Sequence, residues 1–409
     1  MKTYEYLIIG GGIAGITAAE TIRASVAGAR IGILSSEQHL PYSRVLLPSY
    51  LKKRIGRPQI FLRTEEDLSR ARIDFMRGST AASVDTAGRR VICRDAGEIA
   101  YGKLLIAAGG RANHWPYGEE GARIFRLQTL DDADRLYAAL DTIRTPVVIG
   151  SSFIALEFIE TFLQRGIVPR VLAREEHFFH DMIDRDGAAI LHENMASRGV
   201  SLLLGDEALA LEKAGAALRI ARYRSGALEA DAVAVGIGIT RNTDFLAGSG
   251  IVCSGGGVQT DAFLETNVPG VYAAGDIAAY FDPIAGRHRL VGNWTNAVLQ
   301  GACAGRNMAG SRERFSAVPA YSITNLGLQI TALGECDGAL ETISRSDPAA
   351  RQYERFFLEG GVLTGAFLIN WFSDKPRLAE LISRRAVVAP YAERLRDMSF
   401  DIREIPAML

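Results

Sequence analysis

The chain has 409 residues, of which 48% are hydrophobic, and its formal net charge is −1. This length predicts roughly two or three domains, and the composition is typical of a globular protein. A near-neutral charge without a dense lysine or arginine stripe argues against a nucleic-acid surface.

Membrane, secreted and thiol-dependent classes are also disfavoured. The amino terminus leads directly into a strand pattern and leaves no room for a signal peptide. No apolar run approaches the roughly 20 residues of a membrane helix, so we expect a cytoplasmic protein without a membrane partner. The four cysteines are Cys93, Cys253, Cys303 and Cys336. Their spacing fits neither a redox dithiol nor a zinc or iron–sulfur site, and no metal site is expected.

The first predicted elements form a strand–turn–helix unit. An apolar strand, Tyr6–Ile9, leads into a turn that contains Gly10, Gly12 and Gly15, and a helix is predicted from Gly15 to Ala24. Glycines in this fingerprint allow a tight turn, a close approach to a pyrophosphate, and close packing of helix on strand. The helix amino terminus favours the negative charge of such a ligand. The unit therefore predicts a dinucleotide site.

An acidic residue is expected after the next strand. The predicted strand Ala29–Leu34 is followed by Ser36 and Glu37, about 20 residues after the turn, where an acid meets the adenosine ribose in such sites. The assignment slips by one position between these two residues, and we retain both.

A second, altered unit begins at Pro146. The strand Val147–Ile149 leads to Gly150, but Ser152 and Ala155 replace the next two glycines. Two such units can hold two dinucleotides face to face, as hydride transfer requires. If this turn binds NAD(P)H, the expected pyrophosphate contacts are Gly150, Ser152, Phe153 and Ile154.

The choice of coenzyme stays open in the sequence. NADH enzymes place an acid at the end of the following strand, whereas this strand ends at Ala173-Arg174. Arg174 could accept a 2′-phosphate, which slightly favours NADPH. Glu175 and Glu176 would oppose that phosphate, or would supply the ribose acceptor from a shifted loop. A third alternative is a degenerate site that binds the nucleotide poorly.

Later elements carry a second set of signals. The strand Val271–Ala274 precedes the turn Gly275-Asp276, and an aspartate at a strand end can accept hydrogen bonds from a ribityl chain. A long helix is predicted from Trp294 to Ala309. Its amino terminus could stabilise negative charge on a reduced flavin.

The chain resembles the flavin- and pyridine-nucleotide-dependent oxidoreductases over nearly its whole length. Besides the two turns, the segments that carry the resemblance are Leu104–Arg111, Val235–Gly238 and Val271–Asp276. It is most similar to the rubredoxin reductase, ferredoxin reductase and nitrite reductase flavin-subunit branch. The segments that carry this are Leu40–Leu47, Asn293–Ala297 and Gly360–Ile369.

The resemblance implies an α/β fold with two Rossmann-like domains and a small C-terminal α+β domain. The FAD-binding domain is expected to be split into 1–115 and 239–318, with the NAD(P)-binding domain at 116–238 and the C-terminal domain at 319–409. The tail pattern, with strands Gln352–Leu358 and Val362–Ile369 and a helix Pro376–Arg384, agrees with that last assignment.

The resemblance also implies the sites. The residues expected at the FAD site are Gly10, Gly12, Ile13, Ala14, Gly15, Ser36, Glu37, Arg44, Ala81, Ala108, Gly109, Gly275, Asp276 and Trp294. Those expected at the NAD(P) site are Gly150, Ser152, Phe153, Ile154, Glu157, Arg174 and Gly238. No acid–base catalyst is expected in the half-reaction with nicotinamide, and Glu157 and Trp294 are the candidates for a catalytic role.

The implied function is an FAD-dependent NAD(P)H oxidoreductase that passes electrons to a small redox protein or reductase partner. A cysteine relay is excluded, because the positions that carry the reactive cysteines of the disulfide reductases hold Tyr42, Ser43, Val45 and Leu46. The lysine common in ferredoxin reductases aligns with Ser49. Two alternatives remain: a flavin oxidase acting on a small molecule or O2, and a flavin-bound redox sensor similar in layout to apoptosis-inducing factor. The electron acceptor and a homodimer also stay open.

Overall fold

The structure is a computed structural model that describes residues 1–95, 97–118, 123–215, 217–224 and 226–407. The strands are β1 Lys2–Ile9, β2 Ile31–Leu34, β3 Ile73–Met76, β4 Ala81–Asp85, β5 Arg90–Cys93, β6 Gly97–Ile106, β7 Gly110–Ala112, β8 Ile124–Phe125, β9 Pro146–Ile149, β10 Arg170–Ala173, β11 Ser201–Leu204, β12 Ala208–Ala214, β13 Ala217–Arg222, β14 Ala227–Ala230, β15 Ala232–Val235, β16 Ile239–Arg241, β17 Cys253–Ser254, β18 Gly257–Thr260, β19 Val271–Ala273, β20 Ala278–Asp282, β21 Arg287–Leu290, β22 Ala320–Asn325, β23 Leu328–Gly334, β24 Glu341–Asp347, β25 Gln352–Glu359 and β26 Val362–Ile369.

The α-helices are α1 Ile13–Ser25, α2 Leu47–Leu51, α3 Glu65–Arg70, α4 Leu130–Ala139, α5 Phe153–Gln164, α6 Arg185–Ala196, α7 Trp294–Met308, α8 Lys375–Ser383 and α9 Ala392–Leu395. Short 3-10 helices lie at Arg44–Leu46, Arg57–Ile60, Leu140–Thr142, Asp244–Leu246, Phe372–Asp374, Ala389–Tyr391 and Ile402–Glu404. Among the described residues, no helix is long and apolar enough to cross a membrane.

The chain divides into two compact units, and each is discontinuous in sequence. The first comprises Met1–Leu46, Gly56–Arg111 and Ile239–Ala317, and the second comprises Leu47–Ile55, Ala112–Gly238 and Val318–Leu409. The expected three-domain division remains a proposal, and its segments 116–238 and 319–409 fall within the same unit.

The first unit contains a parallel sheet in the order β3-β2-β1-β6, and β19 pairs with the end of β6. β2 and the carboxyl-terminal ends of β1 and β6 are apolar and buried, because both faces of the sheet are covered there. Their carboxyl ends stand in register: Ile9 lies opposite both Leu34 and Ile106, and Ile106 lies opposite Ala273. The loops that follow these strands therefore meet at one edge of the sheet, which is where ligands bind in such folds.

Helices α1 and α7 pack closely through small residues. A Cβ atom added at Gly301 would lie 2.4 Å from the Ala14 carbonyl oxygen, and one added at Gly305 would lie 2.8 Å from that of Ala18. Larger side chains would push the helices apart. This packing places the amino termini of both helices beside the carboxyl edge of the first unit's sheet.

The second unit contains a parallel sheet in the order β11-β10-β9-β15-β8 and an antiparallel sheet in the order β22-β23-β26-β25-β24. In the parallel sheet, Ile149 lies opposite Leu172 and Val235. The turn after β9 therefore lies between the ends of β10 and β15. The predicted α/β class, with a further α+β segment at the C-terminus, agrees with this architecture.

Candidate functional site

The first glycine turn has the geometry that its sequence predicts. Gly10 has φ +121°, and a Cβ there would lie 2.1 Å from the Ala107 carbonyl oxygen; a Cβ at Gly15 would lie 2.0 Å from that of Gly10. A Cβ at Gly12 would meet no atom within 4 Å. Gly12 is also the N-cap of α1, where no side chain caps the first turn. The turn thus leaves an open cradle beside uncapped N–H groups, which fits a pyrophosphate.

Glu37 follows β2, whose end lies beside this cradle: the Gly10 N–H donates to the Leu34 carbonyl at 2.8 Å. The Glu37 carboxylate accepts a hydrogen bond from the Tyr42 hydroxyl at 2.6 Å and one from the Arg44 guanidinium at 2.5 Å. The Glu37 side chain is largely buried, whereas Ser36 is exposed. Of the two residues retained from the sequence, the geometry favours Glu37 as the ribose acid. It also gives Arg44 the role of orienting that acid.

The loops after β6 and β19 complete the same edge. Gly109 and Gly275 both have positive φ, of +58° and +82°, and the Asn242 amide donates to the Ala108 carbonyl at 2.8 Å. Burial raises the pKa of Asp276, against the opposing charges of Arg241 and Arg44. Ala81 begins β4 and is half-buried.

Two buried polar residues on α7, which the sequence reasoning missed, support a ligand here. The side-chain amide oxygen (Oε1) of Gln300 accepts a hydrogen bond from the Gly275 N–H at 2.8 Å. The amide nitrogen of Gln300 and the side-chain oxygen (Oδ1) of Asn296 are buried without a hydrogen-bond partner among the described residues. Their four-residue spacing on the buried face of a helix, beginning at the half-buried Trp294, is the signal that could have found them. Orphaned polar atoms beside an open cradle fit a cofactor such as FAD.

The second turn is intact despite its replaced glycines. Gly150 has φ +108°, and a Cβ there would lie 2.4 Å from the Gly236 carbonyl oxygen. The Ser152 hydroxyl donates to that same oxygen at 2.8 Å and caps α5 by accepting from the Ala155 N–H at 3.4 Å. Ala155 fits because its neighbour is Gly236, where a Cβ would come within 2.8 Å of the Ala155 nitrogen. The small residue that allows this close packing is therefore Gly236, directly after β15, rather than a glycine within α5.

Other predicted residues of the second site lie around this turn. The Phe153 ring packs against Phe179, with centroids 4.4 Å apart, and against Tyr321 at 4.6 Å. Ile154 is half-buried in the first turn of α5. Gly238 has φ +88°, and its carbonyl oxygen accepts from the Asn113 N–H at 3.0 Å.

The loop after β10 carries a carboxylate that is held by hydrogen bonds. Glu175 accepts hydrogen bonds from the Ser151 hydroxyl at 2.9 Å and from the Arg174 guanidinium at 2.8 Å. Burial acts to raise the pKa of Glu175, but these hydrogen bonds outweigh it and the pKa lies below its usual value. Glu175 is therefore ionised at neutral pH. The arginine that was expected to bind a 2′-phosphate is paired with it.

A buried charge cluster lies on the inner face of α5. The Lys52 ammonium lies 3.1 Å from a carboxylate oxygen of Glu157 and also contacts Glu160. The Leu326 N–H donates to Glu160 at 3.1 Å. Burial raises the pKa of Glu157, against the opposing charge of Lys52. Sequence reasoning missed Lys52, which stands one helical turn after Ser49, the position where the resemblance expects a lysine.

Comparisons with known proteins agree with this geometry. The sequence profile of a family described as pyridine nucleotide-disulphide oxidoreductase matches residues 4–301. A 3-phenylpropionate/cinnamic acid dioxygenase ferredoxin–NAD(+) reductase component from Photorhabdus laumondii is 27% identical over 399 residues, which cover 96% of this chain and 100% of that protein. Human apoptosis-inducing factor 3 is 28% identical over 389 residues, which cover 93% of this chain and 63% of that protein.

Solved structures share the fold. A ferredoxin reductase from Rhodopseudomonas palustris superposes with a TM-score of 0.90 at 24% identity, with 99% of each chain covered. The predicted fold class is confirmed. The predicted resemblance to ferredoxin reductases is confirmed as well.

Proposed function

The chain belongs to the pyridine nucleotide-disulphide oxidoreductase family, and on that basis we propose that it is an FAD-dependent reductase that takes reducing equivalents from NADH and passes them to a ferredoxin-like redox protein. The observation that carries the proposal is the pairing of a complete glycine cradle in one unit with a second, intact strand–turn–helix unit in the other. A full-length relative is named as a ferredoxin–NAD(+) reductase component.

FAD would be held in the first unit by residues of the sheet edge. The cradle at Gly10 and Gly12 would receive the pyrophosphate, Glu37 the adenosine ribose, and Asp276 the ribityl chain. Trp294 and Gln300 would lie toward the ring system. When bound, FAD supplies the chemistry that converts a two-electron hydride donor into a source of single electrons.

The ionised, hydrogen-bonded carboxylate of Glu175 favours NADH over NADPH. An ionised carboxylate just after β10 can accept hydrogen bonds from the ribose hydroxyls, and it repels a 2′-phosphate. Arg174, from which the NADPH preference was predicted, is paired with that carboxylate. The relative's name specifies NAD(+), so the NADPH preference has no support from that comparison.

Electron transfer to a protein partner needs no thiol in this chain. No disulfide joins the four cysteines, all of which are described by the structure; Cys93 and Cys303 are buried, Cys336 is half-buried and Cys253 is exposed. The cytoplasmic location, the identity of the acceptor and a homodimer stay proposals, which cell fractionation, acceptor screening and sedimentation test.

Anaerobic stopped-flow spectroscopy of the FAD-loaded protein tests the function. We expect NADH to bleach the flavin absorbance within seconds and NADPH to do so more slowly. An added [2Fe–2S] ferredoxin or a rubredoxin should then restore it. Absence of bleaching within minutes by either nucleotide would overturn the proposal. Reoxidation by air that outpaces both proteins would identify an oxidase, and a change of oligomeric state without acceptor reduction would identify a sensor.

A further inference from the structure

Ser151 connects the second turn to the loop after β10. It stands between Gly150 and Ser152, and its hydroxyl donates to the Glu175 carboxylate at 2.9 Å. Its carbonyl oxygen accepts from the Phe179 N–H at 3.1 Å. The serine is therefore held by its own backbone while its side chain holds a residue 24 positions away.

The Glu175 backbone is anchored as well. Its carbonyl oxygen accepts from the Gly205 N–H at 2.9 Å, which fixes the loop to the end of β11. The Glu175 side chain is 23% exposed, so one part of the carboxylate still faces solvent. A carboxylate has about four acceptor positions, and Ser151, Arg174 and the Glu175 backbone N–H use three of them. The solvent-facing part of the carboxylate remains open to the ribose hydroxyls.

We propose that Ser151 is a positioning residue that sets the preference for NADH over NADPH by holding Glu175 as the ribose acceptor. β10 ends at Ala173 and therefore offers no acid. The Glu175 carboxylate lies in the loop two residues later, and the hydrogen bond from Ser151 holds it in a defined position. This inference rests on the proposed function, since it assumes that the second turn binds a nicotinamide nucleotide. A 2′-phosphate would be repelled by the same fixed negative charge. The hydrogen bond from Ser151 to Glu175 therefore strengthens NADH binding and weakens NADPH binding.

Replacement of the hydroxyl tests the inference. In Ser151→Ala, we expect the Kd of the FAD-loaded protein for NADH to rise about tenfold, the effect of one hydrogen bond to a charged group. The Kd for NADPH should fall slightly, by up to about twofold, because the carboxylate is no longer held where it repels the 2′-phosphate, and the limiting rate of flavin reduction should fall much less than the NADH affinity. Ser151→Thr keeps the hydroxyl and should restore most of the discrimination.

A double-mutant cycle shows whether Ser151 acts through Glu175. Glu175→Gln should weaken NADH binding at least as much as Ser151→Ala, and Ser151→Ala added to Glu175→Gln should have no further effect within about twofold. The matched control is Ser197→Ala, whose hydroxyl bonds locally to the Asn194 carbonyl. This variant should leave the NADH-to-NADPH ratio unchanged.

Two results would overturn the inference: an equal loss of affinity for both coenzymes in Ser151→Ala, or additive effects in the cycle. Calorimetric titration with NAD⁺ and NADP⁺ measures the same ratio without turnover. Failure of the proposed function is therefore recognised separately. A protein whose flavin is not bleached, but whose discrimination still depends on Ser151, would refute the reductase proposal and retain this one.

Discussion

Gly12 and Ser152 occupy corresponding positions in their two turns, yet they do opposite things to the helix that follows. Gly12 leaves the first turn of α1 without a side-chain cap, while the Ser152 hydroxyl occupies one such N–H on α5. An uncapped amino terminus surrounded by open space is adapted to an anionic ligand. The capped one is stabilised by its own chain, so its ligand must rely more on other contacts, such as Glu175.

Gly12→Ala separates ligand binding from folding at the first turn. Its φ of −75° suits any residue, and the added Cβ would meet no protein atom. We therefore expect an unfolding free energy within about 0.5 kcal/mol of wild type. FAD affinity should fall at least about tenfold because the methyl group occupies the space expected for the pyrophosphate.

Urea unfolding and fluorescence titration with FAD measure the two effects of Gly12→Ala. Gly28→Ala is the matched control, since its Cβ also meets no atom within 4 Å and Gly28 lies outside the turn. Equal FAD affinity in the two variants would show that Gly12 does not face the cofactor.

The buried charges on α5 and in the C-terminal sheet show how whole elements are held. Lys52 contacts the carboxylates of Glu157 and Glu160, which lie one helical turn apart on α5, and the Lys52 side chain is only 4% exposed. In the antiparallel sheet, Arg345 of β24 lies directly opposite Glu354 of β25, and both side chains are fully buried. Each cation serves two acids, because Arg345 also contacts Asp374 at 3.2 Å. Such clusters add little net stability when complete, but they become costly when one partner is removed.

Lys52→Met tests the α5 cluster. Removal of the ammonium leaves the carboxylates of Glu157 and Glu160 buried without their shared cation, so we expect a loss of about 3–5 kcal/mol of unfolding free energy. The loss should shrink at low pH, because burial raises the pKa of Glu157 and favours its neutral form. Arg54→Met is the control, because Arg54 lies 3.7 Å from Glu160 but its side chain is 47% exposed; it should cost less than about 1 kcal/mol. Equal losses in the two variants, measured by urea unfolding, would contradict the cluster's role.

The C-terminal sheet should make stability depend on pH. Burial raises the pKa of Glu354 to about 8, against the opposing charge of Arg345. The folded state therefore holds a proton that the unfolded state, with an ordinary pKa of about 4.3, releases. This contribution is fully present below the unfolded pKa and is lost as the pH rises through about 8.

Unfolding free energies measured between pH 6 and pH 9 test this expectation. The wild-type protein should lose stability over that interval, and Glu354→Gln should flatten the slope because it removes the titrating group. Glu359→Gln, at the exposed end of the same strand, should retain the wild-type slope. A wild-type slope in Glu354→Gln would assign the pH dependence to another group.

At the scale of the whole molecule, each of the two discontinuous units contains a parallel sheet with one edge at which we propose that a nucleotide binds. In the first unit, this edge contains residues as far apart in sequence as Gly10 and Asp276. In the second unit, it contains Gly150, Glu175 and Gly238. Because the strands within each sheet are in register, residues that are distant in sequence meet at their carboxyl ends. Each ligand should therefore stabilise its own edge.

Hydrogen exchange of the protein with and without ligands checks this assignment. We expect FAD to slow exchange in residues 10–16 and 274–277, and NADH to slow exchange in residues 150–155 and 173–176. Saturation at about 100 times Kd corresponds to roughly 2.7 kcal/mol of protection. Protection by NADH confined to the first set, or none at 173–176, would refute the placement of the second nucleotide.

Local sequence patterns were sufficient to predict the main secondary-structure elements and the fold class. A glycine that needs φ +121° or +108°, an apolar run buried on both faces, and an N-capping serine are determined by residues within one turn of each other. The two glycine turns, the long helix from Trp294 and the resemblance to flavin reductases could therefore be predicted from the sequence. The NADPH preference had no such basis, because it depended on which side chain Arg174 would meet.

The sequence by itself determined where the turns, strands and helices lie, and hence the family, because those features depend on backbone sterics and local burial. Only the tertiary structure decided which polar groups meet. It joined Glu37 to Arg44 while leaving Ser36 exposed, paired Arg174 with Glu175, and brought Lys52 to Glu157 across 105 residues. It also showed that Gly236 makes room for Ala155. Such contacts follow from strand register and packing between distant segments, which no local spacing encodes.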